Sequence, residues 1–258
     1  WDQFQQMDID IIIGSIPAHW RSYTQLRDIY KPHAKVICHA GNEFYELEDM
    51  IAEGIVKNGL FSIAPFEVSS AVRACFYLQE FPLDIFKPTI TENKKMTSFV
   101  NCFSSMKMFE DDYELFRYAE HDLPDWECKV YGASCRDGVQ IGLSSVASEM
   151  GNSRFIWHTK RGGDGYGHIL FNAAAMGKPI ITRLSDYRDK LGERLLIPGQ
   201  TCIAIDTMKP REIVQAIKDT NEQDVYTRMV ENMKIKFKQV VNFPAEAIRV
   251  KRFIETLL

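Results

Sequence analysis

Short apolar runs alternate with helical patterns along this 258-residue chain, and that rhythm constrains its fold more than any other feature. Residues 8–13 read as a buried strand ending at Gly14, 20–30 as a helix stopped by Lys31-Pro32, and 34–39 and 60–64 as the next strands. Strands joined through helices pair in parallel, because the crossover is too long for a hairpin. The pattern restarts at 96–101, with a helix over 111–119, strands at 127–131, 155–157, 179–182 and 202–205, and closing helices at 210–218 and 225–241. Between the two series lies Phe81-Pro82-Leu83-Asp84-Ile85-Phe86-Lys87-Pro88, whose prolines restrict their own backbone and that of the residues before them. The expected organisation is therefore an α/β chain with domains at 1–90 and 91–235, and a last helix at 236–258 returning toward the first domain.

Composition excludes several classes. With 45% hydrophobic and 26% charged residues the chain fills one large core or two modest ones. Its 31 basic and 35 acidic residues are interspersed and leave a net charge of −4, which argues against nonspecific nucleic-acid binding. No apolar run approaches the roughly 20 residues of a membrane span, and no charged-then-apolar leader is visible, so a soluble protein is expected. The six cysteines form no CxxC pair, which suits a reducing cytoplasmic compartment. His33, His121 and His158 have no partner spacing for a metal, and no metal is expected.

The chemistry concentrates at Gly162-Gly163-Asp164-Gly165-Tyr166-Gly167-His168, set between the apolar run 155–157 and an alanine-rich helix. Glycines before a helix let a bulky ligand approach the backbone, and the first helical N–H groups are left to bind an anion. A phosphorylated ligand is expected there. The spacing is not that of a dinucleotide fingerprint, which disfavours an oxidoreductase.

Asp164-Gly165-Tyr166-Gly167, Asn172 eight positions after Asp164, and Gly177-Lys178-Pro179 together resemble the glycosyltransferases of the GT-B fold, especially the retaining, nucleotide-sugar-dependent family 4. Three further landmarks fall in the same order: Leu83-Asp84-Ile85-Phe86-Lys87-Pro88; Phe99-Val100-Asn101-Cys102-Phe103 with Lys107; and Ile197-Pro198-Gly199 followed by Asp206 and Pro210. The resemblance covers residues 80–220 well and 1–79 loosely. It implies two Rossmann-like domains in a GT-B architecture, the N-terminal one incomplete, and transfer of a sugar from a nucleoside-diphosphate sugar to an acceptor hydroxyl. It needs no cofactor beyond that donor. It assigns Lys107 and the backbone near Gly165, Tyr166, Gly167 and His168 to the phosphates, Asp164 to the donor sugar, and Asn172 to the ribose. His39 resembles the catalytic histidine of the N-terminal domain. Where the family carries an arginine five residues before its phosphate-binding lysine this chain has Cys102, and Lys160 and Arg161 are the substitutes for the missing charge. The acceptor is a glycan, lipid, protein or small molecule; nucleic acid is not an expected partner, and peripheral membrane contact stays open. A noncatalytic sugar-nucleotide-binding or scaffold module and a sugar-nucleotide epimerase are the alternatives.

Overall fold

The computed structural model describes residues 2–15, 17–40, 47–62, 72–140, 142–160 and 167–258. It separates into two compact units, Trp1–Glu80 with Asn242–Leu258, and Phe81–Val241.

In the first unit, β1 (Ile11–Gly14), β2 (Lys35–Ala40), β3 (Gly59–Ser62) and β4 (Ala74–Phe76) form, among the described residues, a parallel sheet in the order β1-β2-β3-β4. Helices α1 (Asp2–Gln6), α2 (Trp20–Tyr30) and α3 (Leu47–Ala52) accompany it. Trp20, fully buried, opens α2 and donates from Nε1 to the Gly14 carbonyl at 2.9 Å, so one side chain fixes the helix start to the strand end. Alternation along β2 divides the core: Val36 and Cys38 pack with Trp20 and Leu60 on one face, and Ile37 packs with Phe61 and Cys75 on the other.

The second face is closed by the amphipathic α9 (Phe243–Glu255), whose Phe253 ring lies 5.1 Å from that of Phe61. Gly59 permits this close approach, because a Cβ there would sit 2.9 Å from a methyl of Leu257. Asn242 caps α9 by accepting from the Ala245 amide at 3.1 Å.

The second unit holds β5 (Lys95–Ser98), β6 (Glu127–Val130), β7 (Phe155–Trp157), β8 (Ile180–Thr182) and β9 (Cys202–Ala204), all parallel, in the order β6-β5-β7-β8-β9. Its helices are α4 (Glu110–Asp122), α5 (Leu143–Asn152), α6 (His168–Ala175), α7 (Pro210–Asn221) and α8 (Gln223–Val240). β7 and β8 are buried throughout, as parallel strands covered on both faces must be, and this is why they read as unbroken apolar runs. The Phe116 and Trp157 rings meet edge to face at 5.4 Å beneath α4.

The proline-rich stretch after residue 80 belongs to this second unit. Phe86 is 1% exposed, its ring lies 5.9 Å from that of Phe81, and the Thr89 amide donates to the Met176 carbonyl at 3.1 Å. Among the described residues no helix is long and apolar enough to cross a membrane.

Candidate functional site

Strand order in the second sheet reverses between β5 and β7, and the loops leaving their carboxyl ends diverge to opposite sides. That divergence makes the crevice where ligands bind in open parallel sheets. The loop after β5 carries Lys107, and the loop after β7 carries Lys160, Gly167 and His168.

The first of these loops is laced to the one after β6. The Cys102 amide donates to the Ala133 carbonyl at 2.8 Å, and the Ala133 amide donates to Asn101 Oδ1 at 2.9 Å. Cys102 adopts a left-handed φ of 60°, an uncommon conformation for a side chain of this type. Gly132 is obligatory beside it, since a Cβ would meet Asn101 Oδ1 at 2.9 Å and Cα at 3.0 Å. Lys107 then opens a short 3-10 turn ahead of α4; it is exposed and makes no ion pair among the described residues. Glu110, Asp111 and Asp112 occupy the first turn of α4. They suit the helix dipole but repel an approaching anion, so attraction on this side falls to Lys107.

β7 is prolonged by side-chain and backbone bonds. The His158 amide donates to the Ile181 carbonyl at 2.8 Å, and the Thr182 hydroxyl donates to the His158 carbonyl at 2.6 Å. The Lys160 amide donates to Asp186 Oδ2 at 3.1 Å. Arg161, Asp164, Gly165 and Tyr166 lie outside the described residues. The chain is described again at Gly167, which caps α6 in the left-handed conformation (φ 70°) with no side-chain cap.

His168, exposed, begins the helix, and Leu170–Ala175 are buried. Asn172 is 6% exposed, and its Oδ1 has no hydrogen-bond partner among the described residues. Leaving such an acceptor unmatched costs about 1–3 kcal/mol.

Lys107, Lys160, Gly167, His168 and Asn172 are thus brought to the two loops and one helix at the switch point. His39 sits in the first unit, in the last turn of strand β2, with Nε2 3.1 Å from the Tyr77 hydroxyl. Burial holds its pKa below the usual 6.5, so the ring is neutral at pH 7.

Sequence reading missed a group on the turn after β8. Asp112, Arg183 and Asp186 line a cavity of about 240 Å³ together with Met108, Asp111 and Ser185. Arg183 Nε donates to Asp112 Oδ1 at 2.7 Å, and the Asp206 carboxylate accepts from the Leu184 and Ser185 amides at 2.8 and 2.9 Å. Burial pushes the Asp186 carboxyl up to about 6; the Lys160 amide opposes this, Asp112 reinforces it, Arg183 opposes it and Asp206 reinforces it. Burial also acts to raise Asp206, but the Ser185 and Leu184 donors outweigh it and the pKa is lowered. The available signal was the polar string Arg183-Leu184-Ser185-Asp186 at the carboxyl end of a buried strand.

No protein-family model and no curated protein sequence matches the chain. Solved structures do. Anabaena HepE in complex with UDP-glucose superposes with a TM-score of 0.70 over 96% of this chain and 78% of that one, at 11% identity. This is the GT-B fold. A glycosyltransferase from Rickettsia africae gives 0.68 over 99% of this chain and 78% of its own, at 12% identity. An alpha-glucosyltransferase in complex with UDP-glucose and DNA containing an abasic site gives 0.64 over 99% and 82%, at 13% identity. Identities this low establish architecture alone. Lys107, Lys160, Gly167, His168 and Asn172 all belong to the Phe81–Val241 unit.

Proposed function

We propose that the protein is a metal-independent, retaining glycosyltransferase of the family 4 type, moving a sugar from a nucleoside-diphosphate sugar to an acceptor hydroxyl. The observation that carries this reading is that Lys107, Lys160, Gly167, His168 and Asn172 fall on the segments that follow β5 and β7, with an Asn172 Oδ1 unpartnered among the described residues one turn inside α6. The fold shared with HepE, whose structure holds UDP-glucose, supports it.

In this reading the bond between the anomeric carbon and the β-phosphate oxygen breaks, and negative charge develops on the leaving nucleoside diphosphate. Lys107, Lys160 and Arg161 neutralise that charge, and the backbone N–H groups near Gly165 to His168 donate to the phosphate oxygens ahead of α6. In this reading these cations and amides stabilise the leaving group by themselves, and no metal ion is required. Asp164 accepts from the donor sugar hydroxyls, and Asn172 Oδ1 accepts from a ribose hydroxyl. The acceptor hydroxyl oxygen bonds to the anomeric carbon on the face from which the leaving group departs, and its proton passes to the departing β-phosphate oxygen. Neutral His39 acts on the acceptor side. The six cysteines are all free, in keeping with a reducing compartment such as the cytoplasm.

Calorimetric titration with UDP-, GDP-, ADP- and CDP-sugars tests the reading. One donor class is expected to bind, and Lys107→Ala to weaken it about 10- to 100-fold, the cost of one charge-assisted contact. Asn172→Ala gives opposite signs in two assays: weaker donor binding, and ligand-free stability equal to or above that of the parent, because a buried unmatched acceptor is removed. A destabilised variant with unchanged donor affinity would make Asn172 a structural residue. Tight binding without transfer or hydrolysis would favour the noncatalytic module, the alternative motivated by Cys102 in place of the family arginine.

A further inference from the structure

Consecutive residues of one turn hold both ends of the segment that enters and leaves the switch point. Asp186 accepts from the Lys160 amide at 3.1 Å, at the point where the chain leaves β7. Tyr187, fully buried, lies against the point where the chain enters α6: a Cβ on Gly167 would be 3.3 Å from Tyr187 Cε1. The same ring lies 6.1 Å from that of His158, and a Cβ on Gly192 would be 2.9 Å from Tyr187 Cδ1. The 3-10 turn Leu184–Tyr187 is itself pinned by Asp206 through two amides. Arg183, at its entrance, reaches Asp112 in the first turn of α4, the helix that follows Lys107.

We propose that the turn Leu184–Tyr187 is the hub that sets the relative positions of Lys160 and the N-terminus of α6, with Asp186 and Tyr187 as positioning residues for donor binding. The proposal rests on the reading of the switch point as the donor site. None of the hub's side chains needs to touch the donor. Its effect is to hold separate anion-facing groups in one geometry before the ligand arrives, so that their ordering is not charged against binding. The geometry itself sets the hierarchy of substitutions. Asp186→Asn keeps an acceptor for Lys160 and Tyr187→Phe keeps the ring against Gly167, whereas Asp186→Ala and Tyr187→Leu remove one hold each.

Residue-resolved amide exchange on the ligand-free protein, paired with UDP titration of the same variants, tests this. Asp186→Ala is expected to raise exchange at Lys160, and Tyr187→Leu at Phe171, whose amide donates to the Gly167 carbonyl at 3.1 Å, with the β5 and β9 amides unchanged. Both are expected to weaken UDP about 10-fold or more, as displacement of positioned groups does, while Asp186→Asn and Tyr187→Phe stay within about two-fold of the parent. Should Asp186→Ala fail to fold, Asp186→Glu shifts the acceptor by one methylene and serves the same purpose. Parent-like exchange at Lys160 and Phe171 in the truncated variants would overturn the hub. So would a uniform rise across the whole unit, which is loss of stability rather than of position. If the parent binds no nucleotide, the donor-site reading fails, and the exchange experiment still decides whether the turn holds these two points.

Discussion

Arg154→Ala is expected to lower the unfolding free energy by about 3–5 kcal/mol, because several buried acceptors lose a charged donor at about 1–3 kcal/mol each. The guanidinium is 3% exposed and donates to the Thr91 carbonyl at 2.9 Å, the Asn221 carbonyl at 2.9 Å and Gln223 Oε1 at 3.2 Å. It also lies 3.8 Å from the centre of the Tyr226 ring. One side chain therefore ties the segment before β5 to the α7–α8 junction, capping the last carbonyl of α7 and stacking on the first turn of α8. Lysine keeps the charge but not the planar fork, so Arg154→Lys is expected to recover less than half of the loss. Urea unfolding followed by tryptophan fluorescence measures both. A shift below about 1 kcal/mol for the alanine variant would mean that the network is solvated in solution.

The second large effect has the opposite sign. Lys178 is fully buried and has one hydrogen-bond partner among the described residues, the Gly151 carbonyl in the last turn of α5, at 2.7 Å. Burial, aided by the nearby Arg154 charge, drives its pKa from 10.5 down to about 7. A displacement of that size corresponds to about 4–5 kcal/mol against the charged form. Lys178→Met loses the bond to Gly151 but also this penalty, and is expected to raise stability by about 1–3 kcal/mol at pH 7. In the unfolded chain the lysine keeps its proton up to about pH 10.5, whereas the native state releases it near 7. The unfolded state therefore binds more protons in that window, and the parent gains stability as pH rises from 7 toward 10. The methionine variant should lose this slope. Equal slopes in parallel denaturation series at pH 6, 7, 8 and 9 would show that the ammonium is solvated in the native state.

Both residues explain a limit of the sequence reading. Lys178 was legible only as the middle of a Gly-Lys-Pro landmark, and Arg154 only as the residue before a strand. Side chains of this kind announce exposure, because lysine and arginine are rarely buried without partners. Their burial depends on carbonyls and a ring supplied by residues 27 to 72 positions away. No local pattern encodes that. The turn that holds Asp186 and Tyr187 was missed for the same reason: its polar string resembles a surface connection until β7 and β8 are placed side by side.

Other features were local and could be read directly. Helix α2 spans the residues expected from its apolar spacing and the following Lys31-Pro32 stop. Helices α7 and α8 began within two residues of expectation, because Pro210 at a first helical turn and the apolar periodicity are strong signals. β4 was not foreseen, since Ala74-Cys75-Phe76 is too short to show alternation or flanking turns.

By itself the sequence determined the alternating parallel architecture, the restart that creates a second sheet, and the position of a glycine-rich stretch before a small-residue helix. These depend on periodicity, turn chemistry and backbone conformation, which act over a few residues. Only the tertiary structure decided that strand order reverses between β5 and β7, that Asn172 is buried with an acceptor unmatched among the described residues, and that the turn after β8 meets both Lys160 and Gly167. Each of these is a relation between strands distant in the chain, fixed by which edges pair and what they bury, and pairing is settled by packing the whole unit rather than by any one segment.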